Sequence, residues 1–265
     1  TARAREGSSC VSATSVDSLE VRRFVHEIAA VPELAMRGPR LAERLQMLGG
    51  VSGAYHLEAL IRGALAKDPT CAIIYRSLVD PAKTMAALGG DWLDDVFAAA
   101  RDLGAVAASQ WILSPQLAWE PDACDQDRLV HKALRELTLG ERRAHARRAT
   151  GELLRQLLGD PDPSVVENLL RNPRTTESEA LVVCARRPTV TEALEVVLVV
   201  ERWARRYRIQ LALARNPHLR PTIAVNLLPL LKRRDLLTIA ADATRGAPGQ
   251  QAAATLAALP MSADW

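Results

Sequence analysis

The pentapeptide LLRNP at residues 169–173 recurs as LARNP at residues 213–217, an offset of 44 residues. Each copy ends an aliphatic stretch, and a short polar turn leads from it to the next. Proline lacks an amide donor and disfavours helical backbone in the residue before it, so Arg-Asn-Pro indicates a helix stop and a turn. A period of about 40–47 residues is typical of repeats built from paired helices. The spacing therefore predicts an α-solenoid of short antiparallel helix pairs in the second half of the chain.

Helix start and stop signals surround this repeat. Thr176 with Glu179, and Thr189 with Glu192, fit the capping box that begins a helix. The apolar periodicity predicts helices near residues 141–157, 165–171, 176–187, 189–200, 203–215, 221–231, 233–241 and 248–258. Because the connections are so short, consecutive helices are expected to be antiparallel neighbours.

The first half of the chain also has a helical pattern, but no evident repeat. Asp17, with Glu20 three residues later, predicts the first helix start, and the Asp-Pro pairs at 68–69 and 80–81 predict two more. Helices are expected near residues 17–31, 34–38, 41–48, 53–66, 69–79, 81–88, 91–103 and 105–113. Aromatic residues make up only 4% of the chain. The sequence therefore predicts an all-α protein.

Composition and charge divide the chain. We predict a disordered tail (1–16), an N-terminal helical domain (17–113), a linker (114–127), a helical repeat domain (128–258) and a second tail (259–265). Residues 1–127 carry 12 basic and 17 acidic residues, a net charge of −5, whereas residues 128–265 carry 22 and 14, a net charge of +8. This asymmetry indicates two surfaces with different roles.

Several classes of protein do not fit the sequence. No apolar run approaches the roughly 18 residues that span a bilayer, and the first residues lack the apolar core of a signal peptide. The four cysteines, at 10, 71, 124 and 184, are more than fifty residues apart. This is neither a disulfide framework nor a CxxC metal site. We expect reduced thiols and a cytoplasmic protein.

Three segments carry a resemblance to a known family. Arg171-Asn172-Pro173, the block WARRYRIQLALARNP at 203–217 and LLPLL at 227–231 resemble bacterial HEAT-like repeats, including those called leucine-rich repeat variants. The resemblance covers about residues 150–258 and implies a solenoid architecture without identifying a ligand. Some leucine-rich repeat variant proteins hold a cysteine-ligated iron–sulfur cluster. This chain lacks the clustered cysteines, so no cofactor is expected; residues 17–113 show no such resemblance.

Nine basic residues form the candidate binding surface of the repeat domain. On the predicted helix 203–215, Arg205, Arg208 and Arg215 fall within about 80° of one another. Guanidinium groups donate in forked pairs to phosphates and carboxylates. The alternative is a solvated helix face whose arginines pair with nearby carboxylates, at positions 195, 201 and 235. The full candidate set is Arg186, Arg187, Arg205, Arg206, Arg208, Arg215, Lys232, Arg233 and Arg234.

Two further patterns have a functional and a structural interpretation. The arginine pairs at 142–143 and 147–148 resemble a nucleic-acid patch, but Arg148 and Arg155 are spaced to pair with Glu152 on one predicted helix. Trp203 and Tyr207 could stack on a base or a proline, although an aromatic pair four residues apart more often forms the seam between repeats. We favour the structural interpretation of both patterns.

No catalytic or metal-binding motif is evident. The histidines, at 26, 56, 131, 145 and 218, show no paired-ligand spacing, and Asp91, Asp94 and Asp95 are explained by a helix start. The glycine pairs follow no strand and match no phosphate-binding loop. We therefore expect no enzyme, metal or cofactor. The sequence favours a non-enzymatic scaffold with a protein partner, possibly acidic, over a nucleic-acid-binding protein that uses the basic face.

Overall fold

The computed structural model describes residues 18–119, 129–242 and 247–260. Every regular element in these ranges is a helix, which confirms the all-α prediction. The α-helices are α1 (Ser18–Ala29), α2 (Leu34–Gln46), α3 (Gly50–Leu65), α4 (Pro69–Tyr75), α5 (Pro81–Leu88), α6 (Gly90–Asp102), α7 (Val106–Leu113), α8 (Leu139–Ala146), α9 (Gly151–Leu157), α10 (Pro163–Arg171), α11 (Glu177–Ala185), α12 (Thr191–Val199), α13 (Glu201–Ala204), α14 (Tyr207–Ala214), α15 (Pro221–Leu227), α16 (Arg233–Ala240) and α17 (Ala247–Ala258). Short 3₁₀ helices lie at Arg76–Leu78, Ser114–Gln116, Lys132–Leu134 and Leu228–Leu230. The predicted N-terminal tail, the Asp17 cap, most of the linker and residues 261–265 lie outside the described residues.

Several predicted helix starts are confirmed by their capping bonds. The Asp68 carboxylate accepts from the amide of Cys71 at 2.7 Å, so the Asp-Pro start of α4 is as expected. Thr176 and Glu179 form the predicted capping box at α11. The prediction at Thr189 is wrong, since α12 begins at Thr191 without a side-chain cap. The Thr191 hydroxyl instead donates to the carbonyl of His218, which joins two turns.

The predicted break at Gly38-Pro39 is wrong, because α2 runs through both residues. Pro39 removes one amide from the helix, but the helix is held by the buried Arg37. Its guanidinium donates to the carbonyls of Val31, Pro32 and Ile73. Tertiary hydrogen bonds thus override the local stop signal.

Two helices predicted as continuous are each broken in the structure. Residues 141–157 form α8 and α9, with Gly151 at a φ of +54°, a conformation that suits glycine. Residues 203–215 form α13 and α14, with extended backbone at Arg206. At this second break the buried amide of Gln210 donates to the carbonyl of Ala204 at 2.7 Å, taking an acceptor that a continuous helix would use.

The asparagine of each Arg-Asn-Pro segment is a buried connector between helices. Asn172 donates to the carbonyls of Ala146 and Ala149, at 3.1 and 3.0 Å, just beyond α8. Asn216 donates to the carbonyls of Cys184 and Arg186, at 2.8 and 3.1 Å, at the end of α11. Each asparagine oxygen also accepts from the amide two residues ahead. The repeated segment therefore ends its own helix and satisfies carbonyls that an earlier helix end leaves without partners.

A second matched contact relates the two halves of the chain. The indole N–H of Trp111 donates to the carbonyl of Leu78 at 2.9 Å, and that of Trp203 donates to Leu170 at 2.8 Å. The separation is 33 residues in both cases. In each half the acceptor leucine lies two residues before an Asp-Pro or Asn-Pro pair, Asp80-Pro81 or Asn172-Pro173. The two halves thus share one local contact, an indole bond to a leucine carbonyl two residues before an Asx-Pro pair.

The two halves also share contacts. The Lys67 ammonium donates to the carbonyl of Pro229 at 3.0 Å and to that of Leu231 at 2.5 Å. The Asn226 amide donates to the hydroxyl of Ser114 at 3.0 Å, within the predicted linker. The buried apolar side chains of the described residues form one core cluster that includes members from both halves.

Candidate functional site

Six of the nine predicted basic residues lie within two positions of Tyr207 or Lys232, which contact each other at the start of α14. The Lys232 ammonium lies 5.1 Å from the centre of the Tyr207 ring, and the Lys232 amide donates to the Tyr207 hydroxyl at 3.1 Å. That hydroxyl donates to the carboxylate of Asp235. We call these six residues the Tyr207 basic cluster: Arg205, Arg206, Arg208, Lys232, Arg233 and Arg234, all exposed.

The other three predicted residues lie elsewhere. Arg187 donates to the backbone carbonyl of Arg215 at 2.6 Å, which places this pair at the far end of α14. Eight helical residues span about 12 Å. Arg186 is directed away from both groups and donates to the carbonyl of Leu129 at 3.3 Å. The alignment of Arg205 with Arg208 and Arg215 on one helix is therefore wrong, since Arg205 precedes the break between α13 and α14.

Part of the Tyr207 basic cluster is already paired within the chain. Arg205 binds Glu201, while Arg206 lies 3.7 Å from the carboxylate of Glu177. Arg234 lies 3.6 Å from that of Asp235. Two members, Arg208 and Arg233, form no ion pair with a described residue, and neither does Arg215. Of the three carboxylates in the solvated-face alternative, Glu201 and Asp235 do pair with arginines of the cluster. Glu195 pairs with Arg220 instead.

The arginine pairs at 142–143 and 147–148 bind mainly within their own half. Arg142 donates to the buried carboxylate of Asp160 at 2.6 Å, and Arg143 lies 3.5 Å from Asp162. Arg147 donates to the amide oxygen of Asn168. The predicted pairing of Arg148 with Glu152 is not formed, because the helix is broken between them, and Glu152 pairs with Arg155 alone.

Trp203 and Tyr207 have different roles. Trp203 is buried and bound to Leu170, so its predicted place in the core is confirmed. Tyr207 is half-buried against the core cluster, but the break before α14 removes it from the helix that holds Trp203.

A cleft of about 690 Å³ lies between the two halves. One wall comes from α2, the 3₁₀ turn after α4, and α5; the other comes chiefly from α12, with single residues from α10 and α15. The lining is largely aliphatic and includes Leu34, Val79, Val196, Val199 and Ile223. Val199 is 60% exposed although it is apolar. The volume lies within the range of pockets that hold small organic molecules.

One corner of this cleft carries unpaired polar groups. The Nε of Arg76 and the hydroxyl of Ser77 are shielded from solvent and have no hydrogen-bond partner among the described residues. Burial lowers the pKa of Arg76, and the positive charges of Arg205 and Arg37 lower it further. The carboxylate of Glu201 opposes these shifts, but it is already bound to Arg205.

The same cleft has a separate acidic group. Glu195 binds Arg220 with both carboxylate oxygens, one of them at 2.5 Å. This contact raises the pKa of Arg220, and the nearby charges of Asp80 and Glu192 raise it further. Asp80 and Glu192 are exposed and have no ion-pair partner among the described residues. No sequence pattern marks this cleft, because its two main walls come from segments more than one hundred residues apart.

The remaining candidates show no convergent chemistry within the described ranges. Cys71 and Cys184 are buried free thiols, and burial raises the pKa of each to about 12. No set of three histidine, cysteine or acidic side chains is placed to hold a metal ion there. Asp91 lies in the first turn of α6 as expected. In these ranges, moreover, every helix is too short or too polar to cross a bilayer.

Comparison with models of protein families, with curated proteins and with solved structures finds no match to this chain.

Proposed function

We propose that this chain is a HEAT-like helical-repeat protein of the leucine-rich repeat variant type, and that it acts as a non-enzymatic scaffold for an acidic protein partner. The asparagine connectors at 172 and 216 support the repeat architecture, because the same side chain makes the same two kinds of bond at the same place in the motif. The matched indole bonds of Trp111 and Trp203 extend the repetition to the first half.

The observation that carries the proposal is the Tyr207 basic cluster. Lys232 lies over the Tyr207 ring, whose hydroxyl is held by Asp235, and the other five residues are within two positions of Tyr207 or Lys232 in the chain. Arg208 and Arg233 are exposed and have no ion pair with a described residue, so their guanidinium groups are available to a partner's carboxylates. Complementary charge guides association and orients the partner. The buried thiols of Cys71 and Cys184 suit a reducing cytoplasm, where we place the protein.

A charge-reversal experiment tests this function. The double variant Arg208→Glu/Arg233→Glu breaks no ion pair between described residues. The control Arg148→Glu/Arg174→Glu changes the net charge equally at two other exposed arginines that are unpaired in the same sense. Each protein, with the unchanged chain, would be cross-linked in lysate of the native cell, and captured proteins quantified by mass spectrometry.

We expect one or more acidic proteins that the unchanged chain and the control capture equally, and that the Arg208/Arg233 variant loses at least tenfold. Equal capture by all three chains would refute the assignment of the partner to this cluster. The nucleic-acid alternative has one specific observation in its favour, the unpaired guanidinium groups of Arg208, Arg215 and Arg233. A labelled duplex titrated over a series of salt concentrations tests it, since phosphate-driven binding weakens steeply as salt rises.

A further inference from the structure

We infer that the cleft between the two halves is a binding site for a monoanionic organic acid with an aliphatic body, held through its acid group by Arg76. This site is separate from the groups tested for the scaffold function, because neither Arg208 nor Arg233 lines the cleft. The volume of about 690 Å³ accommodates a small organic molecule, and the aliphatic walls favour an apolar one.

The position of Arg76 determines the charge of the ligand. Arg76 lies in the 3₁₀ turn Arg76–Leu78 and lines the cleft, and its side chain makes no hydrogen bond or ion pair with a described residue. Its Nε is shielded from solvent, as is the hydroxyl of the adjacent Ser77. A buried donor without an acceptor is costly, and a charged one more so. A carboxylate at this corner would accept from both groups.

The neighbouring charges support an anion at this corner. The positive charges of Arg205, in the second half, and Arg37, in the first half, both act on Arg76. Arg37 donates to backbone carbonyls, which carry no net charge, so these bonds do not neutralise its positive charge. Glu201 is bound to Arg205. An incoming carboxylate would therefore meet an excess of positive charge, and a guanidinium is well suited to bind both of its oxygens.

The acidic residues that line the cleft restrict the charge that the rest of the ligand can carry. Asp80 and Glu192 are unpaired in the described structure, and both line the cleft. A second anionic group on the ligand would be repelled by them. Glu195 adds no attraction for a cationic end, because Arg220 already binds both of its oxygens. The body of the ligand is thus uncharged and packs on Val79, Val196 and Val199.

Calorimetric titration with octanoate tests the inference. Acetate supplies the charge without the body, and octanol supplies the body without the charge. We expect saturable octanoate binding with a dissociation constant below about 1 mM, and binding of acetate and octanol at least tenfold weaker. Failure of octanoate to saturate, or equal binding of octanol, would overturn the inference.

Two variants test where the acid group of the ligand binds. Arg76→Gln removes the charge and should weaken octanoate binding about tenfold or more, because a charge-assisted bond is lost. Ala35→Phe places a ring in the cleft from an exposed position of α2 and should also abolish binding. The control Arg174→Gln removes an exposed charge outside the cleft and should leave binding unchanged. Loss in the Ala35 variant with full binding in the Arg76 variant would overturn the anchoring role of Arg76.

A spectroscopic measurement keeps the inference testable if Arg76→Gln unfolds the chain, which circular dichroism would reveal. In ¹⁵N-labelled unchanged protein, the arginine Nε–H signals can be followed during the octanoate titration. We expect the Arg76 signal, assigned with the conservative Arg76→Lys variant, to shift with the same saturation as the calorimetric signal. An Arg76 signal that does not move at saturation would overturn the inference. The result is separable from the scaffold test, since the Arg208/Arg233 variant should bind octanoate normally.

Discussion

Replacement of Asn216 by alanine should destabilise the protein more than its small change in volume suggests. The Asn216 side chain is fully buried, donates to the carbonyls of Cys184 and Arg186, and accepts from the amide of His218 at 3.0 Å. Alanine offers neither a donor nor an acceptor. Three backbone groups at the junction of α11, α12 and α14 would lose this partner at once.

The magnitude follows from those three groups. A buried polar group left unsatisfied costs about 1–3 kcal/mol. The Arg186 carbonyl and the His218 amide lie at half-buried residues and can be partly rehydrated, so we assign the lower limit to both of those bonds. The expected loss in the free energy of unfolding is about 3–5 kcal/mol. Asn172→Ala removes the matching bonds at the other motif and should cost a similar amount.

Urea unfolding followed by far-ultraviolet circular dichroism measures this loss. Asn168→Ala is the matched control, because Asn168 is half-buried and its side chain accepts an exposed hydrogen bond from Arg147. Substitutions outside the buried hydrogen-bond network usually change stability by less than about 0.5 kcal/mol. If Asn216→Ala were as mild as the control, the asparagine would not be a connector between helices, and the account of the repeat would be wrong.

Three further predictions concern packing and charge. Trp203→Phe should cost about 2 kcal/mol or more in unfolding free energy, because the buried carbonyl of Leu170 loses its indole donor; a loss below about 0.5 kcal/mol would contradict this. Gly53→Ala should destabilise the protein by about 1 kcal/mol, because an added Cβ would lie 2.9 Å from the Trp92 ring. In the same series of thermal melts, Gly90→Ala should be nearly neutral, because its Cβ meets nothing within 4 Å. Burial lowers the pKa of Lys67 to about 8, so between about pH 8 and 10.5 the unfolded chain holds more protons than the folded chain. The stability of the unchanged chain relative to Lys67→Met should therefore rise with pH across that window. A flat difference in urea midpoints over this range would contradict that assignment.

Local sequence signals predicted most helix starts correctly. The wrong predictions concern positions where hydrogen bonds outside the local sequence pattern determine the structure. The Asp-Pro start at Asp68 needs only the side chain and the next three residues, so sequence reasoning found it. The break before α14 depends on Gln210, whose buried amide takes the Ala204 carbonyl. No local pattern marks that bond, since glutamine is an ordinary helix residue. In the same way, the role of Asn172 depends on where α8 ends, which the residues around Asn172 do not reveal.

The two candidate sites also differ in whether local sequence signals could reveal them. Arg208 and Arg233 were predicted from composition and spacing, because a cluster of charge is visible in a linear sequence. Arg76 is a single arginine in a short turn, and its environment comes from Arg37 and Arg205, which lie far from it along the chain. A shielded Nε without a hydrogen-bond partner is a property of the packed structure alone. Sequence reasoning therefore found the exposed cluster and missed the cleft.

The pairing of the basic residues also sets a limit on nucleic-acid binding that can be measured. If all nine predicted residues contacted phosphates, the logarithm of the binding constant would fall with the logarithm of salt concentration at a slope of about −8. Arg208, Arg215 and Arg233 alone give a slope of about −3. Fluorescence anisotropy of a labelled duplex between 50 and 200 mM salt, roughly the range where such slopes are determined, separates the two values. A slope near −8 would mean that phosphates displace the carboxylates of Glu201, Glu177 and Asp235, and would refute the view that these carboxylates withhold Arg205, Arg206 and Arg234 from nucleic acid.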